Sequence, residues 1–118
     1  MNFIAKAPRA FFVLAPLDDV TDTVFRQVVA GCAAPDIFFT EFVNVDGLQR
    51  TGRSKLLPKL RFSSSETPLI AQIWGKGLEN YKKTAKQLVD GTLAKEANND
   101  QSSKLNYSGI DINMGCPD

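Results

Sequence analysis

The sequence predicts an α/β protein with about four parallel strands and intervening helices. These strands would form half of an eight-stranded (β/α)8 barrel or most of an open doubly wound sheet. Four short apolar runs alternate with helical patterns or loops along the chain, which is typical of parallel strands joined by right-handed crossovers. Periodicity alone does not choose between the two architectures. Neither G-x-G-x-x-G after the first strand nor G-x-x-x-x-G-K-[ST] is present, so the nucleotide-binding signatures of open sheets are missing and the barrel is favoured.

The first predicted strand covers residues 10–14, a continuous apolar run that ends at Ala15-Pro16 and fits a strand buried on both faces. Thr21 or Asp22 can cap the helix that follows. The apolar residues of this helix have amphipathic spacing. We expect them to form its buried face: Val24, Phe25, Val28, Val29 and Cys32.

Three further apolar runs, at residues 37–40, 68–74 and 109–113, predict the other strands. Residues 45–61 are ambiguous and suggest one or two short helical pieces. A second clear helix carries apolar residues at helical spacing up to Val89 and ends at Gly91, a natural C-terminal glycine. The polar stretch 95–104 predicts an exposed loop.

Composition narrows the class of protein. A chain of 118 residues suits one small domain, and 43% hydrophobic with 23% charged residues is ordinary for a globular protein. No stretch approaches the roughly 18 consecutive apolar residues of a membrane span, and the first eight residues do not resemble a signal peptide. We therefore expect a cytoplasmic protein with no membrane contact.

Residue counts exclude several kinds of chemistry. The two cysteines form no C-x-x-C pair, and histidine is absent, which removes Ser-His-Asp and Cys-His catalysis and histidine-based metal sites from this chain. We expect no metal. A net charge of +1 excludes a globally basic nucleic-acid binder but allows a local patch. One basic cluster exists, and it fits a solvated surface or a phosphate contact: Arg50, Arg53, Lys55, Lys59 and Arg61.

Active-site groups of parallel α/β proteins lie at the C-terminal ends of the strands. In this chain those positions hold a thiol, amides, carboxylates and backbone groups next to proline and glycine. The sequence therefore predicts a pocket rim made of residues 15–18, 40–41, 72–75 and 113–116.

Cys116 is the candidate reactive group. A lone cysteine often acts as a small buried hydrophobe, but Cys116 lies between Gly115 and Pro117, beyond the last apolar strand residue. This position favours exposure to the pocket. A free thiol has a pKa of about 8.5, so at neutral pH it is mostly protonated and can donate a proton.

Two amides stand where a purely structural strand would not need them. Gln72 lies among apolar residues and needs partners, which could be the backbone or the edge of a planar ligand. Asn113 alternates with Ile110 and Ile112, which we expect to be buried, and could bond its own loop or a ligand. The acidic residues at 18, 19 and 22 fit a helix cap on residue type alone.

Four motifs together resemble the tRNA-dihydrouridine synthase family. They are L-A-P-L-D-D-V-T-D-T-V-F-R at residues 14–26, T-E-F at 40–42, P-L-I-A-Q-I-W-G at 68–75 and I-D-I-N-M-G-C-P at 110–117. The V-T-D-x-x-F-R element combined with N-x-G-C-P is far more specific than either alone. The resemblance spans about residues 12–117 and implies the N-terminal half of a flavin-dependent TIM barrel, so residues 1–118 would be a partial FMN-binding domain.

The resemblance also implies a reaction and roles for residues. The family reduces the C5–C6 double bond of uridines in tRNA: reduced FMN delivers hydride to C6, NADPH regenerates the flavin, and the cysteine matching Cys116 protonates C5. By the same resemblance, Glu41 and Asn113 would bind the substrate. The residues implied to hold FMN are Ala15, Pro16, Leu17, Asp18, Asp19 and Gln72.

The chain departs from the family pattern at residues 17–19 and in its length. Leu17 replaces a common methionine, a volume-conserving change, and Asp18 and Asp19 replace small residues, which places two acids beside the flavin. A complete barrel takes about 250 residues, so the C-terminal half would be absent. Two alternatives therefore stand beside the reductase: a catalytically incompetent fragment with two open sheet edges, prone to aggregation, and another FMN barrel such as a dihydroorotate dehydrogenase.

Overall fold

The computed structural model describes residues 10–115. It contains five strands: β1 (Val13–Leu14), β2 (Ile37–Phe39), β3 (Val43–Asn44), β4 (Leu69–Trp74) and β5 (Gly109–Ile112). The helices are α1 (Thr23–Ala33), α2 (Val45–Leu48), α3 (Arg53–Leu56), α4 (Leu78–Val89) and α5 (Thr92–Ala97), with 3-10 turns at Leu57–Leu60 and Ser64–Glu66. Within the described range, no helix is long and apolar enough to cross a membrane.

All strand pairs are parallel, and neighbours in the sheet follow chain order. β1 pairs with β2, β2 and β3 both pair with β4, and β4 pairs with β5. Ile70 and Ile73 of β4 are each paired to β5 on one side and to β2 or β3 on the other, so β2 and β3 occupy the same edge of β4. The strand order does not reverse as it does in doubly wound sheets. The predicted α/β fold is confirmed, and the arrangement is consistent with half of a TIM barrel.

The predicted strand at 37–40 corresponds to β2, and the structure adds β3, which continues along β4 after a bulge. Phe39 pairs with Ile70 and Val43 pairs with Ile73, so this strand uses one residue more than β4 between the two pairs. The hydroxyl of Thr40 takes the place of a backbone acceptor, because the Gln72 N–H donates to its Oγ1 at 3.1 Å. An extra residue of this kind turns a side chain in a new direction, and here it is Glu41.

The core lies between the sheet and the helices. The side of β4 that carries Leu69, Ala71 and Ile73 packs under α2, α4 and α5. The other side carries Ile70, Gln72 and Trp74, and in a closed barrel this side faces the interior; we call it the inner face. β4 therefore has apolar residues on both sides, as the continuous run of its sequence predicts.

Helix α1 begins at a predicted capping residue but buries a different face from the one that the sequence predicts. The Asp22 carboxylate accepts the Phe25 N–H at 2.8 Å, which confirms one of the two predicted caps. The prediction that the Val24-Phe25-Val28 stripe and Cys32 are buried is wrong, because all four residues are exposed. Arg26 is the buried residue, and Val29 and Ala30, three and four positions later, pack on the core beside it. A buried ion pair on Arg26, described below, sets this rotation of the helix.

Three other expectations need correction. β1 is only two residues long and lies at the edge of the described sheet, with Phe12 81% exposed, so the first strand is not buried on both faces. The predicted loop at 95–104 begins inside α5. Ile112 is 52% exposed rather than buried, although Ile110 on the same side of β5 packs against the core. The end of α4 is as predicted, because Gly91 adopts a left-handed backbone with φ of 81°.

Candidate functional site

The predicted rim residues lie at one edge of the sheet. They lie at or just after the C-terminal ends of four parallel strands, namely in the loop after β1, the bulge after β2 and at the ends of β4 and β5. Parallel pairing brings these ends together. Cys116, the predicted proton donor, lies outside the described residues.

The inner face carries linked polar groups near this edge. The Gln72 Nε2 donates to Asp111 Oδ2 at 2.6 Å, and the two residues are directly paired between β4 and β5. Asn113 follows two residues after Asp111, and its Oδ1 accepts the Gly115 N–H at 2.9 Å. Among residues 10–115 no hydrogen bond is formed to Gln72 Oε1, so this oxygen can accept one from a ligand. The partner found for Gln72 is thus a carboxylate side chain rather than the backbone, and a ligand contact at Oε1 stays a prediction.

The loop after β1 is a compact turn with an apolar exposed surface. The Val20 and Thr21 N–H groups donate to the Leu17 carbonyl at 3.1 and 3.0 Å, and the Leu17 N–H donates to Thr21 Oγ1 at 2.9 Å. Leu17 is 53% exposed, and Ala15 is exposed beside it. The N–H groups of Leu17, Val20 and Thr21 are thus bonded within the turn, and aliphatic surface faces outward.

Glu41 holds this loop from the bulge. The Asp19 N–H donates to Glu41 Oε1 at 2.6 Å, and the Glu41 residue is only 3% exposed. Asp19 adopts a left-handed backbone with φ of 57°, which is unfavourable for most residues but tolerated by aspartate. The hydrogen bond to Glu41 stabilises this conformation.

Lys59 joins the acids of the site. Its Nζ donates to Asp18 Oδ1, to Asp19 Oδ1 at 3.0 Å and to Glu41 Oε1 at 3.5 Å. Burial lowers the pKa of the Lys59 ammonium, but the hydrogen bonds to Asp18 and Asp19 and the Glu41 charge outweigh this and leave the pKa well above its usual range. Oxygens of the three carboxylates lie within 4.8 Å of one another. Like charges at this spacing repel, and the Lys59 ammonium, which is hydrogen-bonded to all three carboxylates, offsets this repulsion.

Arg26 and Glu66 anchor the far side of the loop. Both side chains are fully buried, and Arg26 Nε donates to Glu66 Oε2 at 2.6 Å. The other Arg26 nitrogens donate to the carbonyls of Thr21 and Arg61 at 2.6 and 2.5 Å. Glu66 Oε1 accepts from the Thr23 hydroxyl at 2.7 Å and from the Ser63 N–H at 2.8 Å. The T-D-x-x-F-R motif is therefore a cap and a buried clasp that fix where α1 starts.

A second clamp shapes the loop after β4. The Asp46 carboxylate accepts from the backbone N–H of Lys76 at 2.9 Å and from Asn80 Nδ2 at 2.6 Å, and more weakly from Gly77. The hydrogen bond from Lys76 is the main cause that lowers the pKa of Asp46. Gly75 has φ of 151°, and a Cβ there would lie 2.6 Å from a Val45 methyl carbon. The two glycines after β4 are needed because Val45 and Asp46 approach so closely.

The basic cluster of the sequence is divided by the fold. Arg53 forms two hydrogen bonds with Glu96, and Arg61 Nε donates to the Ala97 carbonyl at 3.1 Å. Lys59 is bound to the acids. Arg50 and Lys55 are exposed, and Lys55, Lys59 and Arg61 line a cavity of about 410 Å³ together with Asp19 and Glu41. Only part of the cluster thus remains available to a phosphate.

Three residues of the site were not anticipated in their present roles: Lys59, Asp46 and Asp111. Lys59 is a member of the basic cluster, and its partners lie 18 to 41 positions away in the chain. The signal for Asp46 is the Gly-x-Gly pair that follows β4, since such glycines indicate a close approach. Asp111 has a clearer signal, because it alternates with the apolar residues of the last strand on the same side as Asn113.

Comparison with known proteins identifies the family. The family model described as "Dihydrouridine synthase (Dus)" matches residues 13–118. A "Probable tRNA-dihydrouridine synthase" of Staphylococcus aureus (strain COL) is 43% identical over 117 residues, which cover 98% of this chain and 31% of the relative. A "Probable tRNA-dihydrouridine synthase 2" of Bacillus subtilis (strain 168) is 41% identical over 98% of this chain and 32% of its own length.

The chain spans about a third of the length of these relatives. No solved structure gave a significant match. The match to the family model covers nearly the whole chain, including all of the described strands and helices. The chain belongs to the dihydrouridine synthase family.

Proposed function

We propose that the protein containing this chain reduces uridine to 5,6-dihydrouridine in tRNA with FMN as cofactor, and that residues 1–118 are part of its catalytic barrel. The observation that carries this proposal is the family match over residues 13–118, together with relatives whose names state tRNA-dihydrouridine synthesis. The same match favours this reaction over that of a dihydroorotate dehydrogenase.

The rim of the sheet fits a flavin ring by its chemistry. An isoalloxazine ring is planar and largely apolar, with hydrogen-bonding groups along its pyrimidine edge. The exposed aliphatic surface of Ala15 and Leu17 suits the ring face, and Pro16 supports the same turn between them. Gln72 Oε1 can accept a hydrogen bond from the ring edge, because Asp111 holds the Gln72 amide nitrogen and so orients the carboxamide. Asp18 and Asp19 stand at the border of this surface.

The proposed chemistry adds a hydride and a proton to one double bond. Bound reduced FMN would supply the hydride to C6 of the uracil. Negative charge then develops at C5 and the adjacent carbonyl, and the Cys116 thiol gives its proton to C5, which leaves a thiolate that solvent reprotonates. A positioned general acid of this kind contributes roughly 10² to 10⁴ in rate. Cys116 is outside the described residues, so its role rests on the N-x-G-C-P motif.

Substrate binding is assigned to Asn113 and Glu41. Asn113 is placed at the C-terminal end of β5 with its Oδ1 turned to Gly115, which leaves its amide nitrogen to donate to a uracil carbonyl. Glu41 acts mainly through the loop that it holds, since its carboxylate is nearly buried. The uracil must leave the base stack to reach this edge, and exposed Arg50 and Lys55 are available for the tRNA backbone.

The reductant and the rest of the barrel complete the proposal. NADPH would re-reduce the flavin, and the reaction would take place in the cytoplasm, where tRNA is modified. A barrel needs about eight strands, and its phosphate-binding loops usually follow the seventh and eighth. The 118-residue chain alone should therefore retain little or no FMN and should not be catalytically competent.

Two measurements test the function. The longer protein, incubated anaerobically with NADPH and unmodified tRNA, should form dihydrouridine detectable by mass spectrometry of the nucleosides. Its Cys116→Ala variant should keep the flavin absorbance and lose dihydrouridine formation by at least 10²-fold. Unchanged turnover in this variant would refute the proton-donor role. For the 118-residue chain, stoichiometric flavin absorbance would refute the expected dependence on the rest of the barrel.

A further inference from the structure

We infer that Lys59 is a positioning residue that fixes the loop after β1 in one conformation, by bridging Asp18 and Asp19 of that loop to Glu41 of the bulge. What the loop faces, a flavin ring, rests on the proposed function. The bridge itself is a property of this chain, and it can be tested without a cofactor.

The bridge links three separate segments. Lys59 lies in the 3-10 turn Leu57–Leu60, Glu41 lies in the bulge after β2, and Asp18 and Asp19 lie in the loop after β1. The Lys59 side chain is 20% exposed, and that of Asp19 is 84% exposed. The ammonium thus holds an otherwise open loop from its protected side.

Removing this charge should release the loop for two reasons. The three carboxylates have oxygens within 4.8 Å of one another, so without the ammonium they repel. Asp19 also has a left-handed backbone, a conformation that persists only when its surroundings determine it. The Asp19 N–H to Glu41 bond is one determinant, and Lys59 is the second because it neutralises the charge that would push Asp19 away from Glu41.

The position of the loop decides the shape of the rim. Leu17 immediately precedes the two acids, and its carbonyl accepts the N–H groups of Val20 and Thr21 on their other side. A loop freed at Asp18 and Asp19 would therefore also move the exposed leucine. Lys59 additionally places a positive charge against the two acids that replace the family's small residues, which lowers the net negative charge beside an anionic reduced flavin.

Amide hydrogen exchange on the 118-residue chain tests the bridge. In Lys59→Met the apolar stem is kept and the charge is lost, and we expect the Asp19 amide to exchange at least tenfold faster than in the unaltered chain. Lys59→Arg keeps a charged donor and should restore protection to within about threefold. Lys83→Met removes an exposed lysine of α4 and is the matched control, with no change at Asp19.

The amides of β4 separate a local effect from unfolding. Protection at Ile73 should stay the same in all variants, since the side-chain hydrogen bonds of Lys59 go to the loop after β1 and to the bulge. Unchanged exchange of Asp19 in Lys59→Met would overturn the inference, and so would an equal loss of protection at Asp19 and Ile73. If the longer protein binds no flavin while Asp19 behaves as expected, the proposed function fails and the positioning role of Lys59 stands.

Discussion

Replacement of Arg26 by methionine tests the buried clasp most sharply. Methionine keeps the apolar length of the side chain but removes the guanidinium that binds Glu66 and the carbonyls of Thr21 and Arg61. The Glu66 carboxylate would then remain fully buried with only the Thr23 hydroxyl and the Ser63 N–H as donors. Breaking one partner of a buried pair typically costs about 3–5 kcal/mol, because a charge is left uncompensated.

Urea unfolding of the 118-residue chain, followed by far-UV circular dichroism, measures this cost. For small proteins the free energy of unfolding falls by about 1–3 kcal/mol per molar urea, so a loss of at least about 3 kcal/mol moves the midpoint down by at least about 1 M. Arg50→Met is the matched control, since Arg50 is exposed, and its effect should stay within about 0.5 kcal/mol.

A double variant separates the unpaired charge from the loss of packing. Arg26→Met with Glu66→Leu removes both charges, so it should be more stable than Arg26→Met alone. An Arg26→Met midpoint within experimental error of the Arg50→Met midpoint would refute the reasoning. The clasp would then have no role in fixing the start of α1.

Three further variants test other parts of the structure. Tyr107 donates its hydroxyl to the Leu60 carbonyl at 2.8 Å, and burial raises the pKa of Tyr107. The tyrosine therefore ionises first in the unfolded chain, and the free energy of unfolding should fall as pH rises above about 10. Tyr107→Phe should cost about 1 kcal/mol at pH 8 and show a smaller fall in urea midpoint between pH 9 and 11, and an identical fall would contradict the assignment. Gly75→Ala places a Cβ 2.6 Å from Val45 at a positive φ and should lower the unfolding free energy by more than about 1 kcal/mol, whereas a neutral effect in urea unfolding would show that the close approach is relieved. Phe12 is 81% exposed next to the edge strand β1 and should promote association between chains. Phe12→Ser should therefore raise the protein concentration at which light scattering appears by severalfold, and no change would locate the association elsewhere.

Strand β4 could be predicted from sequence because burial on both faces leaves a simple pattern. β4 is a continuous apolar run with one amide, and both its existence and its inward glutamine follow from that pattern. The orientation of α1 could not be predicted in this way. An arginine is normally placed on the solvent side of a helix, and only its distant partner Glu66, 40 positions along the chain, reveals that it is buried.

The residues of the site differ in the same way in how far they could be predicted. Gln72 and Asn113 could be proposed because they occupy the ends of recognisable strands. The role of Lys59 could not, because it depends on a bulge that brings Glu41 to the loop after β1. A one-residue bulge has no clear signature in a sequence of β-branched and aromatic residues, whereas the hydrogen bond from Gln72 N–H to the Thr40 hydroxyl defines it in the structure.

Dihydrouridine in cellular tRNA tests the central claim most directly. The gene containing this sequence would be deleted, and the strain would be complemented with the unaltered gene or with the Cys116→Ala gene. We predict that mass spectrometry of digested tRNA shows a loss of dihydrouridine on deletion, restoration by the unaltered gene and no restoration by Cys116→Ala. An unchanged dihydrouridine content at every tRNA position after deletion would contradict the proposed function.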